Sequence, residues 1–326
     1  MDLHDIIDIL CDFFDRIMAL MSVLGNIRYW VLAGAIIGLL GGDLLGSKSG
    51  DFLTFTLVLL MCFSLTGLRF SKDDFKENKR TILISTIVGV FISPIVTLII
   101  GSLFDDIYWE GWVLLACVPC AIAVISGALL MGADTKLMTL SVTAIYIVAI
   151  IFTPVTVALL TGGSVDPLTI LKYVLLFILV PMIISLPLGK MRIPKSVNTI
   201  VINFCFLAMV LVAFGKCRDT MISDPMTVLL IAVACFIRVP VIHLVSEMVL
   251  RKAKVPVEKR IHYILLLGWK NSGMSLALCI TLVPDSSAVL LPGSISLVFE
   301  LTYMMFMMWY YSRLRKADSI VVESSC

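Results

Sequence analysis

The sequence predicts an all-α polytopic membrane protein with ten transmembrane helices in two inverted five-helix repeats. Three observations predict it. Of the 326 residues, 60% are hydrophobic and only 15% charged, against about 25% charged in a soluble domain. The mean hydropathy is +1.06, and the apolar residues fall in runs long enough to cross a hydrocarbon core of about 30 Å. The basic residues sit almost entirely in alternate connections between those runs.

The first element, residues 1–27, stands apart from the spans. Asp2, Asp5, Asp8, Asp12 and Asp15 recur every three or four positions, which places them on one helix face. Leu3, Ile6, Ile7, Leu10, Phe13, Phe14 and Ile17 fill much of the rest. This reads as an amphipathic helix lying on the bilayer or against the protein, its acidic face unsuited to anionic lipid. A cleavable signal would begin basic rather than acidic.

The first repeat, 28–161, holds apolar runs at 28–46, 52–69, 80–104, 110–131 and 137–161. The second, 162–316, holds runs at 167–188, 198–214, 224–250, 261–283 and 287–312, followed by a tail at 317–326. With ten spans both termini share one face. Nineteen Lys and Arg lie on that face, and only Lys48, Lys216 and Arg218 lie on the other. The positive-inside rule then puts both termini in the cytoplasm of a multi-pass cell-membrane protein. A wrong span count would scramble this asymmetry.

Five spans per half, an odd number, makes the halves inverted. The third span carries Phe91-Ile92-Ser93-Pro94 and its partner, the eighth, carries Phe236-Ile237-Arg238-Val239-Pro240. The fourth carries Ser126-Gly127 with Pro119 upstream, and the ninth carries Ser272-Gly273. Gly is costly inside a helix and Ser offers competing hydrogen bonds. The expectation is therefore a break at each Ser-Gly pair. Interrupted spans at matching places in two halves point to a binding site at membrane depth.

Other classes lack their signatures. No Gly-rich phosphate loop precedes a Lys-Ser/Thr pair, so ATP is not the evident energy source. The scattered His, Asp and Glu form no metal site or catalytic triad, and nothing indicates an enzyme, a cofactor or a nucleic-acid partner. The Cys117-x-x-Cys120 pair lies inside a span and reads as packing, with a soft-ligand role as the second reading.

The stretch "GWKNSGMSLAL", Gly268 to Leu278, resembles the ninth-span signature of the bile acid:sodium symporter family. "CVPCAIAVISGALLMGADTKL", from Cys117, and "LMCFSLTGLRFSKDDFK", from Leu60, are similar to its fourth and second spans. The resemblance covers nearly all of the chain after about residue 28. It implies a core domain with two broken helices, the fourth and ninth spans, crossing at mid-membrane, and a flanking panel domain. It also implies alternating access for a small organic anion. Sodium-dependent members carry Ser-Asn in the fourth span and a Glu four residues before a ninth-span Gln. Here those places hold Val124, Ile125, Leu266 and Lys270. A hard cation needs oxygens, and aliphatic side chains offer none. Asn271, Ser272 and Gly273 match the pattern.

Lys270 is the sharpest departure. A charge at bilayer depth costs roughly 2.5–3.5 kcal/mol on insertion scales. Its ammonium could replace a sodium ion, holding the crossing helices or attracting an anionic group. It could carry a coupling proton, or form a structural ion pair only. Glu300, midway along the tenth span, is its expected partner. Arg238 could face the substrate, satisfy carbonyls freed by Pro240, or pair with Glu247. Lys172 is read as snorkelling, and His243 and His262 as lying near the interface rather than relaying protons. Thr143 and Tyr146 could line a cavity. The expected substrate site is Asn271, Ser272, Gly273, Ser126, Arg238 and Thr143, with Lys270 and Glu300 coupling. Two alternatives stand beside transport of an anion: a cation/proton antiporter using Glu300, and a membrane sensor or scaffold using the acidic N-terminal helix. The sequence leaves a homodimer open.

Overall fold

The computed structural model describes residues 25–66, 72–163, 165–191, 193–283 and 286–324. The amphipathic helix expected at the N-terminus lies, but for its last three residues, outside them. Among the described residues the chain is all-helical. In order come α1 (Ile27–Gly41), α2 (Ser49–Ser64), a short α3 (Lys72–Glu77), α4 (Lys79–Ile87) and α5 (Ser93–Gly101). Then come α6 (Asp106–Cys117), α7 (Ala123–Met131), α8 (Thr135–Leu160), α9 (Pro167–Leu188) and α10 (Lys195–Ser223). The order closes with α11 (Pro225–Lys252), α12 (Val257–Gly268), α13 (Ser272–Leu282) and α14 (Leu291–Ser324). The last helix thus runs past residue 316, where the tail was placed.

Helix starts follow from local chemistry. Asp134, Asp166 and Asp224 each cap a following helix by accepting from the backbone N–H three residues on, at 3.0, 2.8 and 3.2 Å. Pro167 and Pro225 open α9 and α11, where a missing N–H is harmless. The Thr227 hydroxyl and N–H hold the Asp224 carboxyl below the usual carboxylate range. A π segment, Val88–Ile92, joins α4 to α5 just before Pro94, absorbing the hydrogen bond that Pro94 cannot donate.

Among the described residues six helical segments are long and apolar enough to cross a membrane: Lys79–Gly101, Thr135–Leu160, Pro167–Leu188, Lys195–Ser223, Pro225–Lys252 and Ala288–Leu314. The predicted fourth and ninth runs are each two half-helices in series, α6–α7 and α12–α13. The surface agrees with immersion in lipid. Leu40, Leu103, Leu159, Leu168 and Ile151 are all more than 70% exposed, while Arg238, Lys270 and Glu300 are buried. A water-soluble fold inverts that distribution. The chain is a multi-pass membrane protein.

Two groups of helices pack together. α10 lies along α1 and α2, and α9 lies along α2. The other group joins α4–α8 with α11–α14; across the divide α8 packs along α9, and α13 touches α2 and α9. Close approach of α1 to α10 depends on two glycines. A Cβ at Gly34 or Gly38 would sit 2.5 Å from the carbonyl oxygen of Leu207 or Leu211, inside any tolerable contact. Gly50, on α2, has open space beside it. Gly38→Ala is therefore expected to lower the unfolding temperature in detergent, by the equivalent of about 1–3 kcal/mol. Gly50→Ala should leave it unchanged or raise it slightly, as Ala is the better helix former. Equal effects of the two would contradict this packing.

Candidate functional site

The two breaks meet. The first spans Val118 to Ile122 and the second Trp269 to Asn271. Both carry extended backbone, and Cys120 and Lys270 pair as an isolated antiparallel bridge. Asn271 donates its N–H to Pro119 O at 2.8 Å, and Ala121 donates to Trp269 O at 3.1 Å. Pro119 explains the first break, since it cannot donate back into α6 and disfavours helical backbone at Val118. The expected break at Ser126-Gly127 is corrected by this. Both residues lie inside α7, whose Gly127 gives room for Met304 Sδ. At the second break Ser272-Gly273 opens α13, and the interruption is Trp269-Lys270-Asn271 itself. The Asn271 side chain caps α13 by accepting from Met274 N at 3.0 Å.

A helix C-terminus leaves carbonyls without partners. Here side chains from neighbouring helices supply the donors. Thr153 donates to Cys117 O at 2.8 Å, Lys270 Nζ to Val118 O at 3.3 Å, and Tyr146 to Cys120 O at 3.0 Å. At the end of α12, Ser93 donates to Leu267 O at 2.7 Å and Arg238 to Gly268 O at 3.5 Å. Each half-helix C-terminus, the negative end of its dipole, therefore meets one fixed cation. Tyr146 also ties the two breaks, accepting from Asn271 Nδ2 at 2.9 Å. Cys117 and Cys120 are buried free thiols, as the packing reading expects.

The expected Lys270–Glu300 pair is not formed. Glu300 pairs with Arg238, and its other oxygen accepts from Ser272 Oγ at 2.9 Å. Ser296, one turn before Glu300, accepts from Arg238 at 2.9 Å and donates to the carboxylate at 3.1 Å. The guanidinium fork reaches α14 from α11, whereas the Lys270 ammonium turns to the broken end of α6. Arg238 is consequently not spent on carbonyls freed by Pro240, and Glu247 pairs instead with Arg260 at 3.1 Å. Trp269 donates its indole N–H to Glu300 O at 3.0 Å, closing a network over α11, α12, α13 and α14.

Among the expected site residues, Asn271, Ser272, Arg238, Glu300 and Lys270 are thus brought together, with Gly273 one residue into α13. Ser126 is exposed on α7, and Thr143 donates to Thr139 O within its own helix at 2.9 Å. Ser296, Thr153 and Trp269 were not singled out. Ser296 was detectable at helical spacing from Glu300, and Trp269 lay inside the quoted motif. His262 is buried, bonded to Ser85 at 2.9 Å and Ser141 at 3.2 Å. His243, also buried, bonds Tyr303 at 2.8 Å. Lys172 is exposed over the Tyr173 ring.

A buried carboxylate with one cationic partner makes a sharp prediction. Glu300→Gln leaves Arg238 uncompensated and should cost about 3–5 kcal/mol. The double substitution Arg238→Met with Glu300→Met should recover most of that loss in a thermal-unfolding cycle. A double variant as unstable as the single one would show that the pair is not the coupled unit.

The family model for the Sodium Bile acid symporter family matches residues 54–217, from α2 into α10. The first break lies inside the matched segment and the second lies beyond it. Comparison with curated proteins gives no match.

Proposed function

The chain belongs to the sodium bile acid symporter family, a family of membrane transporters, and from that premise we propose that it carries a small organic anion by alternating access without the usual sodium dependence. The observation that carries the proposal is the pair of fixed cations at the crossing. Lys270 and Arg238 each cap the C-terminal carbonyls of a broken span, where a coupling cation would otherwise find its oxygens.

In this reading the ten apolar segments are ten spans in two inverted repeats, 28–161 and 162–316. The supporting feature is the break in the fourth span of each. The panel is α1, α2, α9 and α10, and the core is the remainder, with α6–α7 crossing α12–α13. Both termini face the cytoplasm of the cell membrane. Asn271 and Ser272 flank the crossing at the start of α13, one of the core helices that touch the panel, at α2 and α9. The Val124, Ile125 and Leu266 side chains at the crossing are aliphatic, and the nearby oxygens of Asn271, Ser272, Tyr146 and Thr153 are already engaged in hydrogen bonds within the protein. The antiporter alternative requires a carboxylate free to exchange a cation for a proton. Glu300 is instead committed to Arg238, Ser272 and Ser296.

In proteoliposomes, uptake of labelled organic anions should proceed with choline in place of sodium on both faces. Lys270→Gln should reduce it by at least about tenfold, because an unmet break at membrane depth costs more than the 1.4 kcal/mol this represents. Uptake that needs a sodium gradient would overturn sodium independence. Saturable anion binding with no flux would point to a sensor instead.

A further inference from the structure

On the face opposite the basic loops, a cavity of about 450 Å³ opens between α10, the α1–α2 connector and the end of α13. That size lies in the range of small-ligand sites. Its polar wall is Asp43, Lys216, Arg218, Asp219 and Ser287. Two of the three basic residues that the sequence assigns to this face are therefore gathered in one hollow. Gly41, Gly42 and Gly215 also line it, and a Cβ at Gly215 would collide with Gly42 O. The backbone itself thus forms part of the wall.

Each cation has one carboxylate partner, so the wall is formally neutral, but the two carboxylates are held differently. Asp43 meets Lys216 at 3.3 Å, but it also accepts from Ser49 Oγ at 2.5 Å and Gly46 N at 3.1 Å. One carboxylate oxygen is thus engaged by the turn that it organises and the other by Lys216. Asp219 is 92% exposed and meets Arg218 at 3.4 Å, so water screens it. Arg218 is anchored by Nε on Leu39 O at 2.9 Å, which fixes the guanidinium at the end of α1 with Nη2 uncommitted. A positioned guanidinium beside a half-buried ammonium is a carboxylate-binding arrangement.

The cavity stands on the line to the crossing. α13 begins at Asn271's cap, and Ile280 in its last turn lines the hollow. At 1.5 Å per residue the two ends lie about 14 Å apart. Between them α13 is packed closed, where a Cβ at Gly273 would meet Met209 Cε at 2.6 Å. Thr220 Oγ1 and Ser287 Oγ, 2.6 Å apart, tie α10 to the segment before α14.

We propose that this cavity is an anion-binding subsite at the mouth of the transport path, holding the carboxylate of a small organic anion between Arg218 and Lys216. The proposal rests on the transporter reading for its purpose, but its test does not require transport. Val283, half-buried on the cavity wall, is replaced by Cys in the full chain. Its labelling by an anionic methanethiosulfonate (sulfonatoethyl) is compared with that by a cationic one (trimethylammonioethyl), with the parent chain labelled in parallel. The seven cysteines among the described residues are buried, and Cys11 and Cys326 are replaced by Ser in both the variant and its parent to remove the remaining background. The anionic-to-cationic rate ratio should exceed that of a free thiol by about tenfold. Arg218→Gln and Lys216→Gln should each lower it several-fold, and benzoate should slow labelling unless Arg218 is replaced. A ratio at or below the free-thiol value, a ratio insensitive to Arg218→Gln, or no effect of benzoate would overturn the subsite. Loss of sodium-free uptake with the ratio intact would instead count against the transport reading alone.

Discussion

A helix broken at membrane depth exposes backbone donors and acceptors that lipid cannot satisfy. Here two such breaks are placed against each other, and the centre of the molecule follows from that requirement. The Cys120–Lys270 bridge satisfies each break with the other. Thr153 and Tyr146 of α8, Ser93 of α5 and Arg238 of α11 supply the donors that the bridge cannot. Three helices are thereby committed to holding one crossing. This accounts for polar residues in spans that are otherwise aliphatic.

The electrostatics follow from the same geometry. Two half-helix C-termini converge, and their dipoles present negative ends to a medium with little screening. Lys270 and Arg238 answer one each. Arg238 is compensated in turn by Glu300 of α14, which also accepts from Ser272 at the start of α13, whereas Lys270 is held by Val118 O. The two cations are therefore met separately rather than through one Lys–Glu pair. The network also ties α11–α14 to α5, α6 and α8, while Leu57 of α2 and Met209 of α10 pack beside Gly273 at the start of α13.

Much of this was legible in the sequence. Apolar runs and loop charges gave the helical segments in order, and "GWKNSG" marked the second break. The first break was misplaced because Ser126-Gly127 mimics the ninth-span pair, while the stronger breaker, Pro119, lies seven residues upstream of Ser126. Pairing was not legible. Lys270, Arg238 and Glu300 stood out as charges at membrane depth, but which cation meets Glu300 depends on how α11 and α14 face each other. Thr143 and Ser126 illustrate the same limit, since polar character does not reveal whether a hydroxyl faces a cavity or its own helix. Thr153 was invisible for the converse reason: short hydroxyls in apolar runs are common, and only the crossing gives this one a purpose.

The central claim is that protein cations occupy the crossing in place of a metal ion. Thermal unfolding of the purified protein across a sodium titration, with ionic strength held constant by choline, tests it most directly. A ligand at a hundred times its Kd would stabilise by about 2.7 kcal/mol. The account predicts a flat response. A saturable, sodium-specific rise in the unfolding temperature would contradict it, showing that backbone oxygens rebuild a sodium site beside Lys270.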